Sequence, residues 1–203
     1  PQAAPPQLAS ADMADEDAAY ETVEDFGHFE LPRYAPLIHA EVAVHATFER
    51  AANQAFPILA GYIGGRNRSA EEVAMTAPVT QTSAGERIAM TAPVNQTPAS
   101  GDSGRYVVSF VMPAKYTLDT LPRPTDPRIR LRAEDGRLVA ARRYSGRWTR
   151  ARYAKEEERL MQAVAAAGLE VTGPPVYARY NPPWMPWFLR RNEVLVEVAA
   201  GSR

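Results

Sequence analysis

The 203-residue chain contains no cysteine. That absence removes disulfide scaffolds, thiolate zinc sites, iron–sulfur clusters and cysteine nucleophiles together, and it suits reducing and oxidising surroundings equally. Histidine is scarce, with His28, His39 and His45 as the three copies. All three fall in segments that read as extended, and His39 and His45 stand about 20 Å apart at strand rise, too far to chelate one ion. No charge of one sign dominates, because 23 Lys and Arg face 24 Asp and Glu. A global field that would attract nucleic acid or an acidic membrane is therefore lacking, and the expectation is no nucleic-acid partner.

Long hydrophobic runs are also missing. Nothing approaches the roughly 20 apolar residues that cross a bilayer, so no membrane span is expected and the chain reads as soluble. No basic stretch followed by an apolar one resembles an intact signal peptide. The chain begins at Pro1 rather than Met, which keeps two compartments open: cytoplasmic, or exported after removal of an upstream leader. Catalytic signatures are wanting as well. There is no Gly-x-Ser-x-Gly elbow, no Gly-x-Gly-x-x-Gly or phosphate loop and no His-Glu-x-x-His helix, so no catalytic residue is assigned. Glu156, Glu157 and Glu158 read as a solvated helix face. Glu30 and Glu193 are the carboxylates to test as a general base should the chain be a small hydrolase.

What the chain does contain is one phrase written twice: Met75-Thr-Ala-Pro-Val79 recurs as Met90-Thr-Ala-Pro-Val94. Each copy is an extended apolar segment whose proline cannot donate to a ladder, which predicts two strands near a sheet edge or rim. A tandem duplication of a hairpin arm without chemistry accounts for the repeat equally well.

Residues 1–19, rich in Pro, Ala, Gln and acidic side chains, read as a tail, and a single domain follows over 20–200. Extended segments are predicted at 21–24, 28–34 and 37–47, then a helix over 49–63 stopped by Gly64-Gly65, with Pro57 predicting a kink or a late start. A turn at 83–85, a strand over 105–112 and a proline-rich connection over 121–127 complete the first half. Strands at 128–132 and 137–144, a helix over 148–167 ended by Gly168, and strands at 176–180 and 193–198 make the second. Strand, helix, strand and strand thus occur twice, in halves of about 28–112 and 128–199. The pattern predicts an α+β fold, a mostly antiparallel sheet carrying two helices with pseudo-two-fold symmetry.

The assembled residues resemble the SOUL or haem-binding protein family. The likeness rests on Phe29-Glu-Leu-Pro-Arg-Tyr34, on Tyr62-Ile-Gly-Gly-Arg-Asn67, on the Met75 box, on Phe110-Val-Met-Pro113 with Leu121-Pro122, and on Tyr180-Asn-Pro-Pro183 leading to Arg191-Asn-Glu-Val194. It spans nearly the whole chain after the tail. It implies a distorted β-barrel of two repeated halves, with haem or another tetrapyrrole in an apolar depression against the first helix and without a fixed axial histidine. The architecture also resembles the effector-binding domains of bacterial multidrug regulators, which hold apolar ligands between the halves.

A porphyrin is a flat apolar plate with two carboxylates, so its site needs aliphatic and aromatic surface for the plate and cations at the rim. Phe56, Leu59 and Ile63 offer a plate-facing stripe, Met75 a soft neighbour, and Arg66 and Arg68 partners for the propionates. The same stripe reads equally as plain core; the resemblance turns it toward a site. No metal-binding residue is assigned, since packing is the readier role for Met75 and Met90. In the segment 180–191 three prolines stiffen the presentation of Trp184, Trp187 and Phe188, as a lid, as a docking loop for a protein partner, or as a seal on the barrel. Trp184 and Arg190 join the candidate site on the lid reading. The expected function is non-catalytic carriage or buffering of haem or a related tetrapyrrole. The alternatives are a ligand-sensing or protein-interaction module and a small hydrolase.

Overall fold

Alternating apolar and polar residues build the sheet strand by strand. The computed structural model describes residues 16–18, 20–69, 85–99, 104–181 and 184–199. Along them run β1 (Glu16–Asp17), β2 (Tyr20–Asp25), β3 (Glu30–Tyr34), β4 (Leu37–His45), α1 (Phe48–Ile63), β5 (Asn67–Arg68), β6 (Thr91–Pro98) and β7 (Arg105–Val111). Then follow β8 (Arg123–Pro124), β9 (Ile129–Glu134), β10 (Arg137–Tyr144), α2 (Arg150–Ala166), β11 (Val176–Arg179), a 3-10 turn at Trp187–Leu189, and β12 (Asn192–Glu197).

Nine strands join in one antiparallel path, β2-β3-β10-β12-β11-β6-β7-β4-β9, with β1 added parallel to β6. The sheet curls into a half-barrel and carries both helices, the expected α+β class. From β3 to β9 the order is a palindrome. The run β3-β4-α1-β6-β7 matches β9-β10-α2-β11-β12, yet β3 pairs with β10 and β9 with β4. Each run thus lends its leading strand to the other, and the repeating unit is strand-strand-helix-strand-strand, one strand longer than the sequence pattern suggests.

The helices bury one stripe each. In α1 the buried residues Phe48, Ala51, Ala52, Ala55, Leu59, Tyr62 and Ile63 recur every three or four positions, the period of one helical face. Pro57 lies within the helix and does not delay its start. Pro57 is exposed, as is Asn53 four residues earlier, so the carbonyl that loses its helical partner there lies on the solvent side. In α2, Thr149 caps the start by accepting from Arg152 N–H at 3.3 Å, and Tyr153, Glu156, Leu160 and Val164 face inward. The Phe48 ring meets Tyr106, Tyr153 and Tyr177 at centroid distances of 5.9, 4.9 and 5.2 Å, so aromatic edges lock α1 to α2.

Several expectations change. The sheet starts inside the expected tail: Glu16 and Asp17 pair with Thr91 and Ala92, and the Ala18 N–H donates to Ala92 O at 3.1 Å. The second box is not at an edge, since β6 lies between β11 and β7. The register slips between Thr91 and Val94, and that irregularity lets Pro93 sit within an inner strand without a ladder N–H. The first box, Met75–Val79, and positions 83 and 84 of the predicted turn lie outside the described residues. His28 occupies the bend before β3 rather than a strand.

Two buried ion networks were not expected. Glu156 is 1% exposed and takes Arg142 at 2.9 Å, Arg159 at 3.0 Å and Arg152 at 3.3 Å. It is on the inner face of α2 beside Tyr153 and Leu160, so an acidic run that looked solvated splits by helix geometry: Glu157 accepts from the Tyr177 hydroxyl at 2.6 Å and Glu158 alone is exposed. His39, 2% exposed, bridges strands through Glu134 at 3.1 Å and Ser109 at 3.4 Å. Burial works against the Glu134 carboxylate, but the His39 hydrogen bond, Arg137 and Arg132 outweigh it and hold its pKa at about 2.

Glu156→Gln leaves three arginines around a neutral amide and is expected to lower unfolding free energy by about 3 kcal/mol, read from the denaturant midpoint. For Glu134 the folded pKa lies below the ordinary 4.5. Its stabilisation is therefore full above that value and lost as pH falls toward about 2, the sign expected for a depressed carboxylate. Acid titrations of Glu134→Gln should show a shallower loss of stability across that window than the parent.

Candidate functional site

The end of α1 is tied down by the motif Tyr62-Ile-Gly-Gly-Arg-Asn67. Gly64 caps the helix, its N–H donating to Ala60 O at 2.9 Å, and Gly65 takes φ 110°, a conformation that favours glycine. The chain then doubles back, so that the Arg66 N–H donates to Gly61 O at 2.9 Å. Asn67 is buried and acts as a clamp. Its amide donates to Tyr62 O at 2.8 Å and Glu86 O at 2.7 Å, and its carbonyl accepts from the Glu86 N–H at 2.9 Å.

A second wall faces this end. β5 pairs with β8, the Thr125 hydroxyl donates to Arg66 O at 2.9 Å, and the Tyr62 hydroxyl donates to Pro122 O at 2.7 Å. Burial pushes the Tyr62 phenol far above its ordinary pKa, so at neutral pH it is a fixed donor rather than an acid. Between the outer face of α1 and residues 125–129 lies an open cleft of about 460 Å³, lined by Ile58, Tyr62, Arg66 and Thr125 to Ile129. Its floor is apolar and its rim is charged.

The two guanidinium groups at the rim differ. Arg128 is paired twice with Asp126, at 2.9 and 2.6 Å, and those bonds hold the Asp126 carboxyl at about 2. Arg66 instead lies folded across the helix: a Cβ placed on Gly61 would stand 2.9 Å from the Arg66 Cζ. The missing side chain of Gly61 is what allows this cation to rest at the cleft's edge.

Of the residues singled out from the sequence, Arg66 lines the cleft. Leu59 and Ile63 point the other way, 0% and 8% exposed within the main core. Phe56 is half-buried with its ring 5.5 Å from Phe110. Arg68 is exposed and pairs through its backbone with Arg123. Met75 lies outside the described residues. Trp184 is 68% exposed in the segment 180–191, and Arg190 donates to Met185 O at 2.8 Å and stacks 4.3 Å from the Trp148 ring. Neither Trp184 nor Arg190 lines the cleft. Ile58, Tyr62, Arg128 and Ile129 also line the cleft and were not singled out from the sequence. Ile58, Tyr62 and Arg66 recur every four residues, a readable spacing, whereas the facing wall lies some sixty residues away and carried no local signal.

The lining combines apolar side chains with two guanidinium groups and the Asp126 carboxylate. Among the described residues it holds no histidine or methionine, and His39 has both ring nitrogens engaged elsewhere. Glu193 is likewise committed: one oxygen takes Arg143 and Arg191, at 3.2 and 2.9 Å, and the other takes the Tyr180 hydroxyl at 2.7 Å, a poor setting for a general base. A second cavity of about 480 Å³ lies between α1 and α2, with Phe48, Tyr106, Tyr153 and Tyr177 as walls and Arg105, Arg150 and Glu157 among its polar groups.

No curated protein matches the chain in sequence. Among solved structures, the crystal structure of the EcmrR C-terminal domain is 11% identical, with a TM-score of 0.59 over 89% of this chain and 98% of that one. A crystal structure of a hydrolase from Listeria innocua is 12% identical, with a TM-score of 0.56 over 87% and 94%. The cryo-EM structure of an EcmrR–DNA complex is 12% identical, with a TM-score of 0.58 over 88% of this chain and 57% of that one. At these identities the likeness is one of fold. The family model described as SOUL heme-binding protein matches residues 15–197, nearly the whole length, and the chain belongs to that family.

Proposed function

We propose that the protein binds haem or a related tetrapyrrole in the cleft beside α1, as a carrier or buffer rather than a catalyst. The observation that carries this reading is the apolar floor of Ile58, Tyr62 and Ile129 with Arg66 laid along its edge. A volume of about 460 Å³ is within the usual range for small-molecule clefts. Ile58 and Ile129 would contact the plate, and Arg66 would meet a propionate in a charge-assisted bond. Bound haem brings its own redox and ligand chemistry; these residues would hold and orient the macrocycle. The cleft stays open to solvent, which suits a ligand that must leave again.

Haemin titration followed by the Soret band tests this, with saturable binding expected at micromolar haemin. A folded protein that fails to bind there would refute it. Arg66→Ala should weaken binding by about tenfold. Gly61→Ala is the sharper probe, because alanine favours the helix while its methyl group displaces the Arg66 guanidinium. Affinity should fall, with the thermal midpoint unchanged or raised.

A second reading is favoured by the cavity between α1 and α2. Its aromatic walls suit an apolar effector, as in a ligand-sensing module. Tyr106→Ala should then abolish binding of an aromatic carboxylate such as naphthoate and leave the haemin titration unaltered; a parent protein that does not bind naphthoate would remove this second reading.

A further inference from the structure

Eight large hydrophobic residues are exposed among the described residues, and four of them, Trp184, Trp187, Phe188 and Leu189, fall within six consecutive positions. Their exposures are 68, 48, 58 and 62%. The tip is a 3-10 turn, closed by the Leu189 N–H donating to Pro186 O at 2.9 Å. Such a turn advances about 120° per residue, so Trp187, Phe188 and Leu189 leave the chain in different directions and the exposed surface of the tip is largely apolar.

The base of this tip is rigid. Arg190 donates to Met185 O and packs on Trp148. Trp148 donates to Asn192 Oδ1 at 2.6 Å, and the Asn192 amide donates to Gly146 O at 3.2 Å. The rings are therefore held away from the domain rather than collapsed onto it, and an exposed apolar cluster of this kind calls for a partner.

Charge around the tip is of one sign. Segments 143–152 and 180–191, which meet at Trp148 and Asn192, carry six arginines and no Asp or Glu. The acids that pair with Arg143 and Arg152 are beneath the surface: Glu193 and Glu156 side chains are 5% and 1% exposed, against 53% for Arg143 and 39% for Arg152; the exposed Glu49 accepts from the Arg150 N–H at 3.0 Å. Arg147 is exposed, with its guanidinium 5.6 Å from the Trp187 ring centroid. The segments at the base of this apolar point are thus locally cationic, with Arg147 beside it, although the whole chain is nearly neutral.

We propose that residues 184–189 insert into the surface of a bilayer containing anionic phospholipid, with Arg147 and Arg143 at the headgroup phosphates. Four exposed apolar side chains leaving one tip in different directions fit a deformable apolar medium, whereas a protein partner would need a matching pocket. Tryptophan rings favour the headgroup level, and arginines near an anionic leaflet add attraction that salt screens. No helix among the described residues is long and apolar enough to span a membrane, so the contact is peripheral. This proposal does not depend on haem binding.

The test is flotation of the full chain with vesicles of phosphatidylcholine alone and of an equal mixture of phosphatidylcholine and phosphatidylglycerol. Two of the three tryptophans, Trp184 and Trp187, are in the tip, so a blue shift of emission reports its insertion. Binding to the mixed vesicles with a blue shift is expected, weakened by about tenfold in each of Trp187→Ala and Phe188→Ala, and reduced by Arg147→Glu and by high salt. These positions are exposed, so the variants should keep the parent's thermal midpoint. The proposal is overturned if mixed vesicles are not bound, if binding is indifferent to those substitutions, or if sedimentation shows a dimer that Trp187→Ala dissolves, which would give the tip to a second copy of the chain.

Discussion

Arg179 sits where the palindromic sheet is joined, and the two runs of the fold depend on how it is buried. The join is the pairing of β6 with β11, made through Val94, Asn95 and Gln96 opposite Arg179, Ala178 and Tyr177. Arg179 is 6% exposed and donates to Gln96 Oε1 at 3.0 Å, while Gln96 itself is 1% exposed and donates to Phe48 O at 3.0 Å. The guanidinium lies 4.9 Å from the Trp148 ring and 5.9 Å from Tyr153. A buried cation is tolerable when aromatic faces and a polar side chain replace its water. Here that requirement draws the start of α1, the start of α2 and both inner strands to one point.

From this joint the two halves diverge in what they present. The first turns the far end of α1 into one side of a cleft, because Gly61, Gly64 and Gly65 let the chain fold back and Asn67 pins it. The second turns the β11 to β12 connection outward as a stiff aromatic tip. A shared topology therefore carries different surfaces, since the sheet pairing is satisfied by backbone groups while the loops are free to vary.

Much of the architecture was legible in the residues. The strand at 137–144 and the helix at 49–63 coincide with observed elements to within a residue, because alternation and a 3.6-residue period report directly on which side faces the core. The same logic misled at the site. The strongest apolar stripe of α1, with Leu59, Tyr62 and Ile63, is the stripe the core needs, and Ile58 is the helix residue that the cleft takes from outside it. Likewise Glu156 looked like its neighbours in sequence and differs from them because its angular position on α2 meets Arg142 of β10.

Local order determined the extent of elements such as the helix from Phe48 and the strand from Arg137, since capping glycines, prolines and apolar periodicity act within a few residues. It also determined the family, through motifs such as Tyr62 to Asn67 that close one helix end in one way. Only the tertiary structure decided which strands pair, that β3 and β9 change places, and that residues 125–129 stand opposite α1. Those outcomes rest on contacts between residues far apart in the chain, whose free energy is shared among many groups and leaves no mark on any single short segment.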